Sequence, residues 1–380
     1  MKDVRVRADD LIVINELARI GADDRQVRRA RSSGELQRIR RGAYVGSRRL
    51  AEADDDARYD LRIAAVLATR RSSPVLSHHS AARLWALPIV NPWPYEVHLT
   101  VHPGSGSRTR NAVAVHRHEL LPADVVELDT AEVVGVRVTA LARTLVDLAR
   151  TAPFRDAVAA IDAALHRGMV SRPVLLDELG RCSATGSTRA ARAIEFASPL
   201  AMLPGESLSR VLIHELGFPA PELQHEFVTA DGRRYADFWW ERLGLIGEFD
   251  GRGKYFDPQY TDGRSAQEVF WQEKLRENEL RELGVTLTRW SWGDLNRLEP
   301  FIHRLEAAGL RRVTRYSLPP PLRAAIVPVP ADSARRNGHY APERALSERR
   351  TERRTGRGPA RRANRDTPGL QRGESYGRLV

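Results

Sequence analysis

Behind Asp10, the apolar positions Leu11, Ile14, Leu17 and Ala18 recur at helical spacing and predict a capped helix that Gly21 ends. Asp23 or Asp24 then caps a second predicted helix, Arg25 to Arg31, which stops at Ser33-Gly34. From Leu36 the period falls to two. Leu36, Arg38 and Arg40 share one side of a predicted strand, and Gln37 and Ile39 the other. Arg41-Gly42 supplies the turn into a return strand, Ala43-Tyr44-Val45.

Between residues 55 and 200 helical and strand periods alternate. Tyr59, Ile63, Val66 and Leu67 mark one helix, and Ser77 to Leu87 another that Pro88 stops. Tyr95 to Val101 and Val113 to His116 read as strands around the Gly104-Ser105-Gly106 loop. Val136-Arg137-Val138 leads into an amphipathic helix, Ala140 to Ala149, with further helices expected over Phe154–His166, Pro173–Leu179 and Thr188–Phe196. After Leu203-Pro204-Gly205 a helix from Glu206 to Leu216 carries the buried stripe Leu208, Val211, Leu212 and Leu216. Three strands follow, Glu222–Thr229, Arg234–Trp240 and Leu243–Asp250, the first two joined at Asp231-Gly232. A long helix from Ser265 to Leu283, a strand from Val285 to Trp290 and a helix from Leu295 to Leu305 complete the pattern.

Composition narrows the partners. The chain has 380 residues, long for one core, so two or three domains are expected. A net charge of +11 favours a polyanion, although arginine dominates the basic residues throughout and the tail inflates the sum. Lys2, Lys254 and Lys274 are the only lysines. No apolar run reaches the roughly 20 residues of a membrane span, so no membrane partner is expected. The opening residues lack a signal-peptide core, and a cytoplasmic location is expected. Cys182 is the sole cysteine, which excludes an intramolecular disulfide. From about Leu318 the sequence turns proline- and arginine-rich and aromatic-poor, and it is expected to be disordered.

A basic helix followed by a basic two-stranded hairpin is the plan of a winged helix-turn-helix. In that plan Arg25, Arg28 and Arg29 on the helix and Arg38, Arg40 and Arg41 on the wing would meet double-stranded DNA. The segment GELQRIRRGAYV resembles the N-terminal domain of AbiEi-type antitoxins. LSHHSAARLWALP followed by VTALARTLVDLAR resembles the middle region of proteins that carry that N-terminus. The resemblance implies DNA binding and a toxin partner, a nucleotidyltransferase, opposed by the part after the winged helix.

A second constellation lies further on. Asp237, Glu248 and Asp250 interrupt strands that are otherwise apolar. Buried carboxylates must be paired, protonated or bound to a cation. Strand alternation sets Asp237 opposite Glu248 with Asp250 on the same face, an oxygen-rich arrangement suited to Mg²⁺ and phosphodiester hydrolysis. The element order, with Asp237, Glu248, Asp250-Gly251 and EKLRENELRELGVTLTRWSWGDL, resembles PD-(D/E)xK nucleases of the branch related to very-short-patch repair endonucleases. That resemblance assigns Glu206 as the acidic residue of the first helix and Asp237 and Glu248 as the motif carboxylates. Asp250 stands where the family keeps a lysine, leaving Lys254 or Lys274 to supply the ammonium. The competing reading is an inert network, with Asp237 paired to Arg233, Arg234 or Arg252 and Glu248 to Arg242. Trp239, Trp240, Trp290 and Trp292 are expected in the core.

Histidines at 78, 79, 98, 102, 116 and 118 invite a metal reading, since His116 and His118 would share a strand face. No acidic or cysteine partner falls at ligand spacing, and these histidines are expected to be structural.

The sequence thus predicts an α+β multidomain protein. Its parts are a winged helix-turn-helix at 1–50, an α/β middle region at 51–200, a three-layer restriction-endonuclease-like domain at 201–312 and a disordered basic tail at 318–380. The leading functional expectation is a DNA-binding protein with a Mg²⁺-dependent endonuclease-like domain. The alternative is a non-catalytic AbiEi-like antitoxin and autoregulatory repressor, and a third reading places partner binding in the middle region.

Overall fold

The computed structural model describes residues 5–6, 11–13, 24–70, 74–105, 109–129, 133–229, 232–251, 279 and 284–313. The predicted tail, Lys254, Lys274 and nearly all of the predicted 265–283 helix lie outside them.

In the N-terminal part, β1 (Arg5–Val6) and β2 (Leu11–Val13) precede α1 (Asp24–Ser32), β3 (Leu36–Arg40) and β4 (Ala43–Gly46). The helix expected from Leu11 is corrected at Leu11–Val13, which form a strand, and its remainder from Ile14 to Ala18 lies outside the described residues. Leu11 and Val13 are buried with Ile12 between them half-buried, a period of two that suits a β-branched run. They pair antiparallel with Val45 and Ala43, giving the strand order β2-β4-β3. Leu11, Val13 and Ala43 pack against Ala64 and Ala65 of α3 (Asp55–Ala68), which follows the short α2 (Ser47–Glu52). Asp54 caps α3, its carboxylate accepting from the Ala57 N–H at 2.8 Å.

The middle region is built on a five-stranded mixed sheet, ordered β7-β6-β5-β10-β8. Its strands are β5 (Val75–Leu76), β6 (Val97–Val101), β7 (Val113–Arg117), β8 (Val125–Leu128) and β10 (Val136–Thr139). β9 (Val133–Val134) pairs with β1 instead. The neighbours β6 and β7 run parallel, with His98 level with Ala114 and Thr100 level with His116. α4 (His78–Leu84) follows β5 directly.

Four helices then form an alanine- and leucine-rich cluster: α5 (Leu141–Thr151), α6 (Phe154–His166), α7 (Arg172–Arg181) and α8 (Ser187–Phe196). Val211 of α9 (Pro204–Glu215) joins this core. Asp162 of α6 receives a two-pronged bond from Arg210 of α9, at 2.8 and 3.0 Å, and also the Ser198 N–H.

The C-terminal sheet has the order β11-β12-β13-β14, from β11 (Glu222–Thr229), β12 (Gly232–Trp240), β13 (Leu245–Asp250) and β14 (Thr286–Ser291). The first three strands are antiparallel neighbours, and β13 and β14 are parallel. Leu208 and Leu212 of α9, with Leu216 at its C-terminal cap, pack against Phe238, Trp240, Phe249 and Trp290, closed by α10 (Trp292–Asn296) and α11 (Glu299–Ala307). Pro300 accompanies the break that makes two helices of the one expected. Gly247 lets strand and rings approach, because a Cβ there would stand 2.5 Å from Trp290 Cη2. Trp239, Trp240 and Trp290 are buried, and Trp292 is partly buried against Phe249.

Candidate functional site

Three places draw together residues with chemistry. The first is the N-terminal arginine surface. Val27 turns the apolar side of α1 inward, while Arg25, Arg28, Arg29 and Arg31 are exposed. Arg38 and Arg41 are exposed on the hairpin. Arg28, Arg29, Arg38 and Arg41 have no ion-pair partner among the described residues, so their guanidinium groups are open to an anion. Arg40 differs. A register shift between Arg38 and Arg40 breaks the alternation expected of β3, and bulges re-aim side chains. Its Nε and Nη1 are buried, and burial, then neighbouring Arg70, holds its pKa below the usual arginine value.

The second place is the carboxylate face of the C-terminal sheet. Among the described residues Asp237 pairs with no arginine, and Arg252 lies outside them. Asp237 Oδ2 accepts the Phe249 N–H at 3.0 Å, and Gln224 Nε2 stands 3.4 Å from Oδ1. Arg233 bonds Glu226 and Arg234 bonds Glu279, each outside the pairing expected from sequence. Glu248, 7% exposed, meets Arg289 at 3.0 Å rather than Arg242. Glu206 is buried in the first turn of α9, where Oε2 accepts the Met202 N–H at 2.8 Å. Asp250 is half-buried at the end of β13, level with Ser291. No three of these four carboxylates bring ligating oxygens within 4.8 Å of one another. Lys254 and Lys274 lie outside the described residues.

The third place is one that reading the sequence did not assemble. His78, His98 and His116 converge, one ring nitrogen of each within 4.8 Å of the others. The sequence-level pair was His116 with His118, drawn from alternation within one strand. What brings in His98 is the parallel pairing of β6 and β7, and what brings in His78 is the start of α4. The only forewarning is the density of histidines on adjoining apolar segments. Burial, then neighbouring imidazoles, pulls His98 down to about 3 and both His79 and His116 to about 4. These rings are therefore neutral at pH 7, each with a lone pair available.

Residues 6–45 match the family model described as a transcriptional regulator, AbiEi antitoxin. Residues 78–196 match a second model, the AbiEi antitoxin C-terminal domain. Two separate stretches of the chain are thus similar to AbiEi antitoxin domains. The AbiEi-type N-terminal match covers the arginine surface of α1 and the hairpin, in a region consistent with a winged helix. The AbiEi-type C-terminal match contains the three converging histidines and stops short of the carboxylate sheet. The comparisons give no support for an endonuclease domain in residues 201–312. No curated protein matches the chain. A crystal structure of the RV2827C protein from Mycobacterium tuberculosis aligns with 49% of this chain and 71% of that one, at 19% identity and a TM-score of 0.35. No described helix is long and apolar enough to cross a membrane.

Proposed function

We propose that this protein is an AbiEi-like antitoxin that represses its own transcription by binding duplex DNA. The carrying observation is the arginine surface inside the N-terminal match: Arg28, Arg29, Arg38 and Arg41, exposed on α1 and the hairpin without acidic partners among the described residues. Such a helix enters a major groove while the wing arginines take phosphates. The second matched region, residues 78–196, opposes a toxin partner, which by resemblance is a nucleotidyltransferase. The repressor role is tested with the full chain, by fluorescence anisotropy on a duplex from its own upstream sequence beside a scrambled duplex. Binding no tighter to its own sequence than to the scrambled one removes the repressor reading.

A second reading is hydrolysis of a phosphodiester by Mg²⁺ held at Asp237, Glu248 and Asp250, with help from Glu206 and from Lys274 or Lys254. The observation in its favour is the antiparallel register of β12 and β13, in which Asp237 and Glu248 are the positions next to the Phe238–Gly247 pair. Against it stand the Arg289 partner of Glu248 and the backbone bond to Asp237, which satisfy both carboxylates without a cation. Those residues as arranged do not form a hard-cation cage. Incubation of the protein with plasmid and Mg²⁺, beside Asp237→Ala and Glu248→Ala variants, separates the two readings. Cleavage lost in the variants alone would restore the nuclease.

A further inference from the structure

His78, His98 and His116 come from three separate elements: the start of α4, and the adjacent parallel strands β6 and β7. Among the described residues no other three His, Cys, Asp or Glu side chains bring their ligating atoms within 4.8 Å of one another. His98 Nδ1 stands 3.0 Å from His116 Nε2, and the rings of His78 and His116 stack with centroids 3.6 Å apart. Two nitrogens bound to one tetrahedral zinc at about 2.0–2.1 Å are about 3.3 Å from each other. The His98–His116 pair therefore has to open by only a few tenths of an ångström to share an ion.

The surroundings point the same way. His78 is 1% exposed and holds a backbone φ of +50°, a left-handed conformation that residues with a side chain adopt at a cost. Ser77 Oγ lies 3.0 Å from His78 Nδ1, the kind of outer bond that fixes the tautomer of a ligating imidazole and leaves Nε2 for the ion. Two buried polar atoms beside the trio lack a hydrogen-bond partner: Nδ1 of His79, whose ring centroid is 5.2 Å from that of His98, and Oγ1 of Thr100, level with His116. Buried polar atoms are rarely left unpaired, so the site is incomplete with protein atoms alone. An all-imidazole donor set suits zinc, nickel or copper and not the hard, oxygen-seeking Mg²⁺ or Ca²⁺.

We propose that His78, His98 and His116 bind one divalent transition-metal ion of the zinc type, with water in the fourth position. The ion ties the start of α4 to the β6–β7 pair. It stands apart from the arginine surface, so the proposal does not rest on the repressor reading.

The test uses the full chain without an affinity tag, stripped with a chelator and returned to buffer. It is titrated with Zn²⁺ against a chromophoric competing chelator, and in parallel with Co²⁺. The expected result is one equivalent per chain, visible cobalt bands of the tetrahedral type and a raised thermal midpoint. His98→Gln and His116→Gln each lower zinc affinity at least about tenfold, whereas His303→Gln on α11 leaves it unchanged. Circular dichroism before titration shows whether each variant is folded. If neither variant folds, the cobalt spectrum of the unaltered protein decides. A folded unaltered chain that takes up no zinc overturns the proposal, as does a zinc affinity that both variants retain. Octahedral-type cobalt bands overturn it as well.

Discussion

Arg289 Nη2 stands 3.0 Å from Glu248 Oε2 across the parallel pair β13–β14, where the two residues are level in register. The carboxylate is 9% exposed in its side chain and the guanidinium 29%, so the pair is mostly withdrawn from water. Its consequence for function is direct: the charge of Glu248 is met by a cation that the fold itself supplies. Arg289→Met should therefore take the ion pair from a mostly buried carboxylate and cost about 1–3 kcal/mol, less than for a fully buried pair because Arg289 keeps some solvent. Glu248→Gln added to Arg289→Met should recover part of that loss. Urea unfolding of the two single variants and the double variant measures the coupling, and additive losses would mean that the pair is not a stabilising unit.

For the DNA surface, the expectation concerns the salt slope more than the affinity. Each phosphate contact contributes about 0.9 to the slope of log affinity against log salt concentration on duplex DNA. Arg28→Ala and Arg38→Ala should each weaken binding and flatten the slope by about 1. Arg40→Ala should leave the slope nearly as it was, since two of its guanidinium nitrogens are buried beside Arg70. Anisotropy titrations at a series of salt concentrations test this, and a slope loss in Arg40→Ala equal to that in Arg38→Ala would return Arg40 to the contact surface.

The legible parts of the chain were those where one period ran without interruption. Phe154–His166 and Glu222–Thr229 occur with the bounds their patterns predict, because a helix stripe or a strand alternation is a local property. Leu11–Val13 was misread because Leu11, Ile14, Leu17 and Ala18 also satisfy helical spacing, and pairing with β4 decides between the two periods. Partner choice was the least legible. Glu248 finds Arg289, and His98 finds His116, through parallel strand pairs whose register no short stretch of sequence encodes. The alternation read into β12 and β13 could not reveal that Asp237 would accept a backbone N–H from the neighbouring strand.

The join between the middle helices and the C-terminal sheet depends on Asp162 and Arg210, which are 0% and 10% exposed in their side chains. Arg210 also donates to the Phe196 carbonyl at 2.6 Å and lies over the Phe196 ring. Arg210→Met leaves a buried carboxylate with only its other donors and should cost about 3–5 kcal/mol, detectable as a lower urea midpoint. Asp162→Asn, which keeps an acceptor oxygen for Ser198, should cost less than Asp162→Ala. Equal losses in those two variants would show that charge, and not hydrogen bonding, is what the site requires.

The histidine cluster makes the metal-free protein sensitive to acid. Unfolded histidine titrates near about 6.5. In the folded chain, burial first and neighbouring imidazoles second hold His98 at about 3 and His79 and His116 at about 4. Above pH 6.5 both states are neutral at these rings and they contribute no pH dependence. Below it the unfolded chain takes up protons that the folded chain refuses. Stability therefore falls as pH falls, by up to about 1.4 kcal/mol per unit for each ring, until the folded values are reached, near 4 for His79 and His116 and near 3 for His98. Urea midpoints of chelator-treated protein between pH 6.5 and 4 measure this, with His98→Gln removing one titrating ring and lowering the slope. Other carboxylates titrate in the same window, so the difference between the unaltered chain and His98→Gln carries the information. No difference would mean that the His98 ring takes up a proton as readily when folded as when unfolded, and would overturn this account of the acid sensitivity.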